Sequence, residues 1–237
     1  MCGRYTLAKS KEEIEELVGD VVADFPVVPR YNIAPSQPIL ALLNTNLTRL
    51  TFIQWGMVPH WAKDPSIGNR MINARSETVA EKPAFRMPFR RKRCLILADG
   101  FYEWQKKPGQ KAKQPMYITL RSGKVFAFAG LWEEWHGADG SELTTSTILT
   151  TEPNSLLRPI HQRMPVILPP TAHETWLCEE DPDALKAALV PYPPEQMQAF
   201  SVSTRVNNVR YDHPDCIEPT SPSRPGQTEL DFQDCSD

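Results

Sequence analysis

The apolar positions of this chain fall mainly into short runs that predict β-strands. The runs are rich in β-branched and aromatic residues and are separated by glycine, proline, asparagine or aspartate. In chain order they are PILALL, RLTFIQW, RCLILADGFYEW, QPMYITL, KVFAFAGLWEEW, TTSTILTT, RMPVILP and AFSVSTRV. We therefore predict an α+β fold that is mainly antiparallel β, with curled, barrel-like sheets and a few peripheral helices.

Helical periodicity is confined to three short segments. In SKEEIEELV, Ser10 is placed to cap a helix and Glu13 to complete a capping box. The apolar residues Ile14, Leu17 and Val18 then share one face of that helix. The segments TAHETWL and DPDALKAALV carry the other two helical patterns.

Length and composition favour one globular domain followed by a tail. The 237 residues are 41% hydrophobic, which is enough to fill a core. From about residue 219 the sequence becomes TSPSRPGQTELDFQDCSD, which has few apolar residues and is typical of disorder. We predict a single domain over residues 2–218 and a disordered acidic tail over residues 219–237.

The net charge of −3 is unevenly distributed. Residues 211–237 carry seven acidic residues and one arginine, a net −6, which leaves +3 on the first 210 residues. A mildly basic body permits a phosphate-binding groove. No run approaches the roughly 20 apolar residues of a membrane span, and the N-terminus lacks a signal-peptide apolar region. We expect a cytoplasmic monomer with no membrane partner.

The five cysteines indicate free thiols. Their odd number and the absence of any Cys-x-x-Cys pair argue against a disulfide framework and a zinc site. No two histidines lie at a metal-binding spacing, so we expect no metal and no cofactor. Cys94 and Cys178 lie in apolar runs and are predicted to be buried, whereas Cys216 and Cys235 are expected to be surface thiols.

The N-terminal stretch MCGR contains a candidate nucleophile. A residue as small as cysteine in second place normally allows Met1 to be removed, which leaves Cys2 with an α-amine and a thiol. Arg4 lies two residues further on and would share its face in an extended segment, where it could hold a phosphate. The alternative is that Cys2 is only a small apolar residue at the start of a strand.

Two further stretches combine polar side chains with predicted strands. In MINARSET, Asn73, Arg75 and Glu77 alternate at strand spacing, either as a functional face or as the solvent face of an edge strand. In ADGFYEWQKK, Glu103 lies between two aromatic residues, where desolvation would raise its pKa toward the range used in proton transfer. Alternatively, Glu103 pairs with Lys106 and has no chemical role.

A histidine and two tryptophans complete the candidate residues. His161 precedes the apolar run in LRPIHQRMPVIL and suits acid–base work near neutral pH, although a histidine beside a strand is often structural. In FIQWGMVPHWAKDP, Trp55 and Trp61 could stack on the bases of a nucleic acid. Core packing is the alternative for either ring.

Taken together, the motifs MCGR, RYNIAP, QWGMVPHW, NARSET, ADGFYEW and IHQRMPVIL resemble the family of SOS response-associated peptidases, which includes abasic-site processing proteins. The resemblance runs from residue 2 to about residue 210. It implies a covalent thiazolidine bond between Cys2 and abasic sites in single-stranded DNA, which shields the lesion. It also implies self-reversal, weak lyase-type strand cleavage and an autocatalytic, peptidase-like exposure of Cys2.

The resemblance also implies roles for individual residues. Cys2 is the nucleophile, and Asn73, Glu103 and His161 complete the active site. Arg4 and Arg75 would hold phosphates near the lesion. Two other functions stay open, a cysteine peptidase of the SOS response and a non-catalytic reader of modified single-stranded DNA.

The tail contains one further motif. In QTELDF, the residues Gln227, Leu230 and Phe232 resemble the short peptides with which bacterial repair proteins bind the sliding clamp of DNA polymerase. A chance match in a polar tail is the alternative. The predicted partners are therefore single-stranded DNA with abasic sites and the sliding clamp.

Overall fold

The structure, a computed structural model, describes residues 2–19, 21–109 and 112–220. The strands within those ranges are β1 (Tyr5–Leu7), β2 (Arg30–Ile33), β3 (Pro38–Leu43), β4 (Leu50–Trp55), β5 (Asn73–Arg75), β6 (Arg93–Ala98), β7 (Gly100–Gln105), β8 (Gln114–Leu120), β9 (Phe126–His136), β10 (Glu142–Thr151), β11 (Met164–Pro165), β12 (Ile167–Leu168) and β13 (Met197–Ser201). The α-helices are α1 (Lys11–Val18), α2 (Arg86–Arg91), α3 (His173–Cys178) and α4 (Pro182–Ala187). Short 3-10 helices span Pro65–Arg70, Pro170–Ala172, Pro194–Gln196, Thr204–Asn207 and Pro214–Ile217.

Five of the strands close into a barrel. β3 pairs antiparallel with β4 and with β6, β6 pairs with β9, and β9 pairs with β10. The parallel pairing of β10 with β4 completes the ring. β5 runs parallel to β10 beyond the end of β4, while β11 and β12 pair with β10 and β9. The predicted α+β fold with curled, mainly antiparallel sheets is confirmed, although two of these pairings are parallel.

The remaining strands form a second sheet that packs against the barrel. Its order is β13-β8-β7-β1-β2, and every pairing is antiparallel. The inner face joins the main core, where the ring of Tyr5 lies 5.4 Å from that of Trp55 and 5.7 Å from that of Phe128, centre to centre. The outer face, with Tyr102 and Tyr117, is covered by a smaller cluster from the C-terminal segment. Residues near β1 therefore lie where the two sheets meet.

The run RCLILADGFYEW forms two strands in different sheets, which its continuous apolar pattern does not reveal. β6 ends in the barrel, the chain turns at Asp99, and β7 begins in the second sheet. The buried carboxylate of Asp99 accepts hydrogen bonds from the Thr6 hydroxyl and, at 2.8 Å, from the Ala8 main-chain nitrogen. These bonds satisfy a polar side chain at the corner and connect the two sheets.

The helix predictions hold, with one omission. Ser10 and Glu13 form the expected capping box at the start of α1, and Ile14 is buried beneath it. The other two patterns correspond to α3 and α4. α2, with the sequence RMPFRR, was not predicted. It contains three arginines and a proline, and only Pro88 and Phe89 are buried, so the segment shows no helical repeat of apolar residues. Within the described residues, no helix has the length and apolar character needed to cross a membrane.

Two cysteine predictions are wrong. Cys94 is buried as expected, but Cys178 is exposed because it ends α3 beyond the buried side chains of Trp176 and Leu177. Cys216 is buried rather than exposed, since the 3-10 helix that carries it packs against the outer face of the second sheet. Cys235 lies outside the described residues.

Gly100 occupies a position with no room for a side chain. A Cβ atom there would overlap the phenol ring of Tyr117. We expect Gly100→Ala to lower the free energy of unfolding by about 1–3 kcal/mol, the usual cost of overpacking a core. Urea denaturation measures this loss, with Tyr117→Phe as the control because it keeps the ring and removes only the hydroxyl that bonds to Thr6. Wild-type stability in Gly100→Ala would contradict the packing described here.

Candidate active site

The pairing of β1 with β7 determines where Cys2 lies. Tyr5 is opposite Phe101, and the main-chain nitrogen of Tyr102 donates to the oxygen of Arg4 at 2.9 Å. Because the two strands are antiparallel, the chain that runs back from Tyr5 to Cys2 passes alongside the segment that runs forward to Glu103. The candidate nucleophile and the candidate acid are thus brought together by strand register.

Asn73 reaches the same place from the barrel. It is the first residue of β5, which β10 holds in parallel register. Its Nδ2 donates a hydrogen bond to the main-chain oxygen of Cys2 at 2.8 Å. Within the described part of the chain, the buried Oδ1 of Asn73 has no hydrogen-bond partner. Asn73 therefore anchors Cys2 and leaves one acceptor in the site.

Glu103 and His161 form an acid–base pair beside these residues. The carboxylate of Glu103 lies on β7 and is only 3% exposed. The Nδ1 atom of His161 is 3.8 Å from Oε1 of Glu103. Burial raises the pKa of the Glu103 carboxyl above its usual range, and a positive charge on His161, when its imidazole is protonated, acts in the opposite direction. A carboxyl group whose pKa is raised in this way holds its proton to higher pH than an ordinary carboxyl and is therefore a better proton donor.

The Cys2 thiol is completely buried. Burial is the main reason that its pKa lies above the usual range for cysteine, and the negative charge of Glu103 raises it further. The thiol is therefore neutral at pH 7 in this structure. When the sulfur of Cys2 adds to an electrophile, the thiol must therefore transfer its proton to a neighbouring group.

The two arginines predicted to hold phosphates differ in their surroundings. Arg75 is exposed at the end of β5. Arg4 is buried, and its Nη1 donates to Oδ1 of Asn32 at 2.7 Å and to the oxygen of Val206 at 2.8 Å. Its guanidinium also lies 5.8 Å from the ring centre of Trp104. In this structure Arg4 ties the C-terminal segment to β1, while a phosphate contact by either arginine stays a prediction.

The two tryptophans differ in their exposure to solvent. Trp55 is 0% exposed, and its Nε1 donates to the oxygen of Ile72 at 2.9 Å. The prediction that Trp55 stacks on DNA is therefore wrong, because neither face of its ring is accessible. Trp61, six residues later in the loop after β4, is 54% exposed. Its ring remains a candidate for base stacking.

Sequence reasoning missed Arg163 and the role of Glu77. The side chain of Arg163 forms a bidentate ion pair with Glu77, with distances of 2.6 and 2.9 Å, and its main-chain nitrogen contacts the ring of His161. The signal was available, because Arg163 follows His161 by two residues in the same motif. The predicted clamp-binding residues Gln227, Leu230 and Phe232 lie outside the described residues.

Within the described ranges, no group of three or more His, Cys, Asp or Glu side chains could hold a metal ion. The candidate residues Cys2, Asn73, Glu103 and His161 instead form a cluster of a thiol, an amide, a carboxyl and an imidazole. Such a cluster can perform nucleophilic addition assisted by proton transfer.

The chain is similar in sequence to proteins named for the processing of abasic sites. A sequence model of the family described as SOS response associated peptidase (SRAP) matches residues 1–209. Abasic site processing protein YoqW of Bacillus subtilis is 47% identical over 223 residues, which cover 92% of this chain and 99% of that protein. Abasic site processing protein HMCES of Gallus gallus is 36% identical over 191 residues, which cover 70% of this chain and 56% of that longer protein.

The fold also occurs in solved structures. The crystal structure of a protein from Bacteroides thetaiotaomicron covers 93% of this chain with a TM-score of 0.84 at 23% identity. At that identity the similarity shows a shared architecture only.

Proposed function

The chain belongs to the SOS response associated peptidase family, and from this premise we propose that it processes abasic sites in single-stranded DNA through a covalent bond to Cys2. The names of its relatives support the choice of lesion. The single observation that carries the chemistry is the hydrogen bond from Asn73 to the main-chain oxygen of Cys2, because it fixes the N-terminal residue beside Glu103 and His161.

The proposed reaction needs the free amine that Met1 removal would expose. An α-amine has a pKa of about 7.7–8.0, so much of it is unprotonated near neutral pH. It adds to the open aldehyde of an abasic deoxyribose and expels water to give an imine. The Cys2 sulfur then adds to the imine carbon, the thiol proton is passed to nitrogen, and a five-membered thiazolidine closes. Because both nucleophiles belong to one residue, the second addition is intramolecular and has a high effective concentration.

The neighbouring groups supply the proton transfers. Glu103, whose pKa is raised by burial, donates a proton during opening of the sugar ring or dehydration of the first adduct. His161 exchanges a proton with the deoxyribose oxygen during closure and reversal. The free Oδ1 of Asn73 accepts a hydrogen bond from the amine. The imine intermediate also permits β-elimination, which gives weak strand cleavage. Self-reversal follows when the ring reopens by loss of the sulfur and water hydrolyses the imine back to the amine and the aldehyde.

A cysteine peptidase is less consistent with these groups. Nucleophilic cysteines in peptidases have a thiol pKa lowered by a neighbouring positive charge. Here burial raises the pKa of the Cys2 thiol instead. This environment suits a thiol that adds to an imine already formed on the same residue.

The direct experiment uses purified protein and a single-stranded oligonucleotide with one abasic site. We expect a protein–DNA band that survives denaturing electrophoresis, and no such band with an undamaged oligonucleotide of the same sequence. If both oligonucleotides leave the protein unmodified, the proposal is wrong.

Base stacking gives a separate prediction for Trp61. An aromatic ring that stacks on one base contributes about 1–3 kcal/mol to binding of single-stranded DNA. We expect Trp61→Ala to weaken binding of an undamaged oligonucleotide accordingly, as measured by fluorescence anisotropy. Phe52→Ala is the matched control, because Phe52 is also exposed but its ring packs on Phe25 at 4.6 Å. Equal affinity of Trp61→Ala and the wild type would exclude stacking at this loop.

A further inference from the structure

The ring of His161 is held by the main chain of Arg163. The main-chain N–H of Arg163 donates to Nδ1 of His161 at 3.1 Å. A main-chain N–H can only donate, so this bond forms when Nδ1 presents its lone pair and the proton of the neutral ring is on Nε2. The main-chain oxygen of Arg163 lies 3.2 Å from the same Nδ1, and Oε1 of Glu103 lies 3.8 Å away. A small shift of residue 163 that brought its main-chain oxygen closer to the ring would therefore favour the tautomer protonated on Nδ1.

The side chain of Arg163 fixes that residue in place. Nη1 and Nη2 bond to the two carboxylate oxygens of Glu77 at 2.6 and 2.9 Å, and Nη2 also donates to the oxygen of Thr150 at 2.6 Å. A bidentate arginine–carboxylate pair defines direction as well as distance. The Arg163 side chain is 17% exposed and the Glu77 side chain 49% exposed, so the pair lies at the edge of the site with its carboxylate toward solvent.

Both partners of Arg163 belong to the framework that holds Asn73. Glu77 follows β5, whose first residue is Asn73, and Thr150 on β10 is paired with Arg75 of β5. The ion pair thus connects the His161 loop directly to the strand that anchors Cys2. Loss of the pair would change the relation between the imidazole and the other site residues.

We propose that Glu77 and Arg163 are positioning residues that hold His161 in the tautomer protonated on Nε2. The effect on reaction rate rests on the proposed function, whereas the tautomer itself does not. Because the Glu77 side chain is 49% exposed, solvent screens the ion pair and its contribution to stability is small, so its main consequence is geometric. Proton transfer depends strongly on alignment, and a displacement of about 1 Å can reduce a rate by up to about 100-fold.

Nitrogen-15 NMR of the imidazole rings tests the tautomer directly. Spectra are recorded at about pH 8, above the reference pKa of histidine, and a His161→Asn variant assigns the signals. We expect one protonated and one unprotonated nitrogen in the wild type. In Glu77→Gln the two ring shifts move toward each other as the tautomers mix, and the crosslinking rate with the abasic oligonucleotide falls roughly tenfold.

Two further variants make the test specific. Asp24→Asn removes an equally short surface ion pair, with Arg49 at 2.6 Å, and is expected to leave both measurements unchanged. Arg163→Lys keeps the charge but not the bidentate geometry and is expected to behave like Glu77→Gln; it also serves if Glu77→Gln does not fold.

The outcomes distinguish the two proposals. Unchanged ring shifts in Glu77→Gln and Arg163→Lys overturn the positioning role, whatever happens to the rate. Converging shifts with an unchanged rate support the positioning role and show instead that His161 is dispensable for crosslinking, which counts against the proposed function.

Discussion

The Cys2→Ser protein is expected to form no adduct with abasic DNA that survives denaturing electrophoresis. Serine keeps the small second residue and the α-amine, so an imine can still form. It lacks the sulfur whose intramolecular addition gives the stable ring, and effective concentrations in such closures reach about 10⁵ M or more. We therefore expect the loss to be complete at the sensitivity of a gel, and borohydride reduction to restore a band by trapping the imine.

The matched control is Cys178→Ser, which removes an exposed thiol at the end of α3. This protein is expected to crosslink at the wild-type rate. A stable adduct in Cys2→Ser without borohydride would mean that another residue or another chemistry forms the bond.

The second large effect is expected for Glu103→Gln. Glutamine has nearly the same shape and can still hydrogen-bond, but it cannot exchange a proton. Positioned general acids and bases contribute about 10²–10⁴ in rate, so we expect the crosslinking rate to fall by about that factor. Glu133→Gln is the control, and both variants are assayed at saturating DNA. Glu133 is also a buried carboxylate, but it lies on β9 and pairs with Lys92. Equal crosslinking rates in wild type and Glu103→Gln would show that Glu103 does not transfer a proton in this reaction.

The same variant tests the electrostatic cost of the site. Burial raises the pKa of Glu103 above its ordinary value of 4.5, so the folded protein binds this proton more tightly than the unfolded chain. The contribution of this proton to the free energy of unfolding is fully present at pH values below that ordinary pKa, and it is lost as the pH rises through the pKa of the folded state. Glutamine does not titrate, so the variant does not lose stability in this way. The melting temperature of Glu103→Gln relative to wild type is therefore expected to rise as the pH is raised above that ordinary value.

Local patterns predicted the elements better than their connections. The capping box of Ser10 and Glu13 and most of the strands follow from neighbouring residues alone. The turn at Asp99 does not, because the apolar run is continuous across it and only the contacts with Thr6 and Ala8 explain it. The parallel pairing of β4 with β10 that closes the barrel joins segments about 90 residues apart and has no local signal.

The candidate site was predicted for a different reason. The resemblance of its motifs to a known family placed Cys2, Asn73, Glu103 and His161 together, while strand spacing alone left each with a structural alternative. The same reasoning could not separate Trp55 from Trp61, since both are aromatic residues in one loop-forming stretch and only burial distinguishes them. It also overlooked Arg163, whose contact with His161 is made by the main chain.

The most direct test of the covalent chemistry is tandem mass spectrometry of the DNA-linked N-terminal peptide. We expect a peptide that begins at Cys2, lacks Met1, and carries the abasic nucleotide with the loss of one water, attached at that residue. A peptide that retains Met1, or an abasic nucleotide attached to a lysine instead, would contradict it.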